Sequence, residues 1–170
     1  MVTAARLYAL LIALCRIMTG IAFGLLFATV LVQVFARTFL PESPVWTEEL
    51  TRQCLLYMAA FGVGLSYRNG ELVNVELVTD ILPAPIQKTL LLVSAILTTV
   101  FAGLLVMPAW QFVSIGRWQT SPAMGVRMDF VHASVFVLLI LLSLFALLRV
   151  VRVLAGASNG KPEGQSGELP

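Results

Sequence analysis

The chain has 170 residues, of which 59% are hydrophobic and 12% charged, and its mean hydropathy is +0.92. A soluble domain of this size leaves much of its chain in water and carries roughly a quarter of its residues as charge, which excludes a soluble globular enzyme. Eleven Lys and Arg against nine Asp and Glu give a net charge of +2 with no basic cluster, which argues against a nucleic-acid surface.

The few charges bound four long uncharged runs, the pattern of an all-α integral membrane protein with four transmembrane helices. Backbone groups in lipid have to be satisfied within their own segment, so each run is expected to be a helix. The first, Ile17 to Ala36, has 20 residues and predicts a span over about 17–38. At about 1.5 Å per residue it reaches roughly 30 Å, one hydrocarbon core. It is too long for a cleaved signal peptide, and no small-x-small site follows it. It carries Gly20-xxx-Gly24-xxx-Ala28, a spacing that lets helix backbones approach closely. It also holds one amide, Gln33, suited to a helix–helix hydrogen bond.

Pro41 and Pro44 lie in the first loop, where they stop one helix and start the next. The second run, Gln53 to Tyr67, has only 15 residues, so its helix has to begin near Trp46 and the span is expected over 46–67. That start brings Glu48, Glu49 and Arg52 into the outer turns. Glu48 and Arg52 are four apart, Glu49 and Arg52 three, so both carboxylates can meet the guanidinium on one face. Two readings fit: a self-paired cluster at the lipid–water edge, or one half of an inter-subunit salt bridge. Ala60-xxx-Gly64 and Gly62-xxx-Ser66 repeat the small-residue spacing, equally suited to packing within the chain and against a partner.

Asn69-Gly70 signals a turn. In the loop that follows, Glu76, Thr79 and Asp80 gather on one side at helical spacing, and Leu77, Val78, Ile81 and Leu82 roughly opposite. A short interfacial helix and an irregular loop fit this segment equally. The third run, Thr89 to Gly116, has 28 residues. At helical rise that is about 42 Å, so the span over 89–116 has to tilt, project, or kink at Pro108. Arg117 to Asp129 reads as a turn or a short re-entrant piece. The fourth run, Phe130 to Leu148, has 19 residues and predicts a span over 130–150. Asp129 and His132 at its start read as an interfacial hydrogen-bonded pair, because a zinc site needs three or four ligands. Residues 1–155 are thus expected to form one transmembrane domain. The Gly-, Ser- and Pro-rich residues 156–170 are expected to be a disordered cytoplasmic tail.

Lys and Arg set the orientation. With four spans, seven of them fall on the side of the two termini and the middle loop, and four on the other, which places both termini in the cytoplasm. Trp46, Trp110 and Trp118 then form one belt at the outer membrane interface. Cys15 and Cys54 fall at opposite faces, too far apart for a disulfide. Almost no ionisable residue lies at mid-membrane depth, where an autonomous ion-coupled transporter places carboxylates or broken helices. No catalytic, cofactor or metal site is expected, and the chain reads as an accessory subunit.

Pro44-Val-Trp46-Thr-Glu48-Glu49 entering a short second span, then Tyr67-Arg68-Asn69-Gly70-Glu71 through Glu76, and later Thr120-Ser-Pro122-Ala, make a familiar constellation. It resembles the small membrane subunit, or Q subunit, of tripartite ATP-independent periplasmic (TRAP) transporters. The matching residues are Trp46, Glu48, Glu49, Arg68 and Gly70. The chain departs from the family pattern at Glu71 or Leu72, where a histidine is frequent, and at Glu76, where aspartate is frequent. The resemblance implies a sodium-coupled secondary transporter of three parts in a bacterial inner membrane. A periplasmic binding protein captures an organic acid, and a large membrane subunit holds the substrate and sodium sites and moves like an elevator. The small subunit is a static scaffold. Partner contacts are expected at Trp46, Glu48, Glu49, Arg52, Gly20, Gly24 and Gly64. The main alternative is a four-helix anchor subunit of a respiratory complex that binds quinone or haem. The single histidine, His132, speaks against paired haem ligation, and a self-dimerising exporter lacks its coupling carboxylate.

Overall fold

The computed structural model describes residues 2–40, 44–70 and 83–155. Four helices account for nearly all of them: α1 (Val2–Phe39), α2 (Trp46–Asn69), α3 (Ala84–Gly116) and α4 (Met128–Leu154). The segment expected as a short interfacial helix and the tail from 156 onward lie outside the described residues.

Helix ends follow backbone chemistry more than charge. α1 runs for 38 residues, well beyond the uncharged run, because Arg6 and Arg16 are good helix formers and interrupt only the apolar stretch. α2 begins at Trp46 with Glu48 and Glu49 in its first turn, where carboxylates favour the positive end of the helix dipole. It stops at Gly70, whose φ of 87° lets its backbone N–H turn back to the Ser66 and Tyr67 carbonyls. α3 starts directly after Pro83, with a further proline in its first turn, and continues through Pro108. α1, α3 and α4 are each long and apolar enough to cross a membrane. α2 is the least apolar of the four.

The principal contacts run α1 on α2, α2 on α4, and α4 on α3. The helices therefore stand in a row, α1–α2–α4–α3, one helix thick over much of its length. Small residues at heptad spacing build the seams. Cys15, Ala22, Thr29 and Ala36 are buried along α1, and Ala95, Ala102, Ala109 and Gly116 along α3. Seven-residue spacing keeps one stripe facing the neighbour in a left-handed crossing, and small side chains bring the backbones close. The Gly20-xxx-Gly24-xxx-Ala28 stripe lies elsewhere on α1: all three residues are exposed, and a Cβ added at either glycine meets nothing within 4 Å.

At one end of the row three helices converge on a cluster of Cys15, Tyr67, Leu141, Phe145 and Ala146, with Tyr8, Leu11 and Ile12 of α1 packed against it. Arg68 and Arg152 approach the Tyr8 ring at 5.9 and 5.7 Å, and Arg149 the Tyr67 ring at 5.5 Å. We call this the arginine end. Gly64 belongs to the same contact. A Cβ there would stand 2.4 Å from Cδ2 of Phe145, so the glycine is what admits the ring between α2 and α4.

Candidate functional site

The opposite end of the row holds Trp46, Trp110 and Trp118 and most of the described polar chemistry. Glu48, in the first turn of α2, pairs with Arg37 of α1, with Nη2 2.6 Å from Oε1; both side chains are about half exposed. Gln33 of α1 donates from Nε2 to the same oxygen at 3.5 Å, a hydrogen bond between helices of the kind its sequence position suggested. Glu49, one residue on, points away from α1. Its Oε2 accepts the backbone N–H groups of Ala123 and Met124 at 3.3 and 3.2 Å.

Those two amides belong to a small hairpin between α3 and α4. Thr120 and Arg127 form an antiparallel bridge, the Ser121 N–H donates to the Val126 carbonyl at 2.8 Å, and the Met128 N–H to that of Gln119 at 2.9 Å. Gly125 turns the chain at φ 65°, a left-handed conformation that costs glycine nothing. The Ser121 hydroxyl also accepts the Met124 N–H. The segment is therefore a hairpin, clipped by Glu49 onto α2. Trp118 projects from its base at 92% exposure. Arg117 lies over the Trp110 ring at 6.0 Å, and Trp110 packs on Phe136 of α4 at 5.4 Å.

Tyr57 fixes the relative height of the helices. Its hydroxyl donates to the Phe130 carbonyl at 2.6 Å. Phe130 is the third residue of α4, whereas Tyr57 lies 11 residues after Trp46, about 17 Å along α2. The first turns of α2, with Glu48, Glu49 and Arg52, therefore rise past the start of α4.

Two sequence expectations are corrected here. Arg52 does not gather the carboxylates of its own helix. Glu48 is taken by Arg37 across the α1–α2 seam and Glu49 by the hairpin, and among the described residues Arg52 makes no ion pair. Helical spacing shows which pairs are possible, but a guanidinium on the facing helix and two hairpin amides compete for the same carboxylates. Nor do Asp129 and His132 bond to each other. Asp129 pairs with Arg127, while His132 Nδ1 lies 3.0 Å from the Phe112 carbonyl and its ring stacks on Phe112 at 3.7 Å. No cluster of three or more His, Cys, Asp or Glu that could hold a metal occurs among the described residues.

The remaining candidates fall apart spatially. Gly20 and Gly24 face outward, and Gly64 faces inward onto Phe145. The sequence offered no signal for Tyr57 or Gly116. A Cβ on Gly116 would sit 2.6 Å from His132 Nδ1 and 2.8 Å from the Asp129 nitrogen, so this glycine closes the α3–α4 turn. Cys15 and Cys54 are both free thiols, buried in different parts of the row.

A helical, multi-pass membrane protein whose described polar groups, Arg52 apart, mostly hold its own elements together is the class this geometry defines. The family described as "Tripartite ATP-independent periplasmic transporters, DctQ component" matches residues 26–156, and the chain belongs to it. A curated relative from Haemophilus influenzae, named as a TRAP transporter small permease protein, is 27% identical over 96 residues. That stretch covers 56% of this chain and 58% of the relative, so the two align over little more than half their lengths. Membership of a transporter family sets aside the respiratory-anchor alternative.

Proposed function

We propose that this chain is the scaffold subunit of a sodium-coupled TRAP transporter in a bacterial inner membrane. Its partners are a large membrane subunit, which binds and moves an organic acid, and a periplasmic binding protein, which delivers it. The observation that carries this reading is where the polar groups go. At the tryptophan end Arg37, Gln33, Glu48 and Glu49 tie α1 to α2 and α2 to the hairpin, and at the arginine end guanidiniums cover tyrosine rings. These groups build a frame. An autonomous carrier would instead aim such groups inward at mid-depth.

α2 crosses the membrane as a fourth span in this reading. It stands between α1 and α4 in contact with both, and with Leu55 level with the start of α4 its remaining length to Gly70 gives about 22 Å, most of one hydrocarbon core. Both termini lie in the cytoplasm, with the tryptophan end outside at the membrane interface and the hairpin facing the binding protein. The test is reconstitution. The chain alone in vesicles under an inwardly directed sodium gradient takes up no organic acid, and deleting it beside an intact large subunit abolishes uptake. Uptake by the purified chain alone overturns the proposal.

A further inference from the structure

The helices of the row do not present the same surface to their surroundings. α2 and α4 both have a neighbour on each side. α4 nevertheless exposes seven large apolar side chains, including Ile140, Leu144 and Val151, while α2 exposes two, Trp46 and Leu55. The other exposed positions of α2 are Glu48, Arg52, Ala59 and Asn69. At about 100° per residue, Glu48, Arg52, Leu55 and Ala59 fall within a stripe roughly 60° wide. Glu48 is already held by Arg37. Arg52 is exposed and, among the described residues, makes neither an ion pair nor a hydrogen bond.

Hydrocarbon suits the face of α4 and suits this one poorly. A guanidinium at the membrane edge can reach lipid phosphate by extending its stem. That does not account for Ala59, seven residues and about 10 Å deeper, since α4, flanked on both sides like α2, fills its exposed positions with large apolar side chains. We propose that the Arg52–Leu55–Ala59 stripe of α2 is the contact with a membrane helix of the large subunit, which brings a carboxylate to Arg52. The inference rests on the scaffold reading and adds to it the face, the helix and the charge. Charge complementarity selects the occupant: a buried contact leaves Arg52 costly unless an acceptor meets it, and a carboxylate offers the bidentate geometry that a guanidinium fits best.

The test uses the full chain co-expressed with its large subunit, with a photo-crosslinking residue at Leu55, at Ala59, or at Leu144 on the apolar face of α4. The expected result is an adduct with the large subunit from Leu55 and Ala59, at least tenfold above that from Leu144. Arg52→Glu is expected to lower the co-purified large subunit at least tenfold, and Arg52→Lys to keep most of it. Equal yields at the three positions overturn the inference, as do adducts only with lipid or with a second copy of this chain. The crosslinking arms leave Arg52 in place, so they stand even if Arg52→Glu prevents folding. A large subunit that co-purifies but does not crosslink at Leu55 or Ala59 overturns this inference alone. Failure of the unaltered chain to co-purify with it overturns the scaffold reading too.

Discussion

Glu48 and Glu49 are neighbours with different roles. Glu48 makes a half-exposed ion pair, and such pairs contribute about 0–1 kcal/mol because water competes for both groups. Glu49 accepts two backbone N–H groups that the hairpin does not otherwise fully satisfy, and hydrogen bonds to a charged group contribute about 1.5–3 kcal/mol. Glu49→Ala is therefore expected to speed amide exchange at Ala123 and Met124 about tenfold or more, while Glu48→Ala leaves those amides unchanged. Exchange followed by mass spectrometry on the detergent-solubilised chain checks this, and equal effects of the two substitutions would contradict it. The acidic pair itself was legible in the sequence. Its partners were not, because Arg37 is 11 residues away and the hairpin amides more than 70, and helical spacing speaks only of residues three or four apart.

At the scale of the element, charge and helix turn out to be separate variables. Arg6 and Arg16 end the apolar run of α1 without ending the helix, whereas Gly70 and Pro83 set helix ends through φ and a missing donor. Uncharged runs therefore locate bilayer depth well and helix boundaries poorly, which is why α1 and α3 both begin before the spans expected for them. Small-residue spacing was visible too, but not its direction. The same four-residue rhythm marks Gly20, which faces outward, and Gly64, which faces Phe145, because the motif does not say which helix lies opposite. The two glycines predict opposite outcomes. Gly64→Ala forces the Phe145 ring to move and is expected to lower stability by about 1–3 kcal/mol. Gly20→Ala meets nothing and is expected to be neutral or to add up to about 1 kcal/mol through helix propensity. Thermal unfolding of both variants in detergent separates them.

For the whole molecule, the row α1–α2–α4–α3 fixes which ends go together. Trp46, Trp110, Trp118 and the hairpin share one end, and Tyr8, Arg68, Arg149 and Arg152 the other. A reporter fused after residue 170 is expected to read cytoplasmic, and one inserted in the 117–127 hairpin to read periplasmic; the reverse pair would invert the topology. The order of the four long helices among the described residues was legible from the positions of the charges. Their arrangement as a row was not, because apolar residues at every exposed position look alike whether lipid or another helix lies beyond them.

The small-residue heptads of α1 and α3 carry one more consequence. They draw neighbouring backbones together and leave little space between helices, so the row is close to a wall: it has two sides and very little inside. In the scaffold reading proposed above, such a wall is a fixed bank against which the large subunit slides.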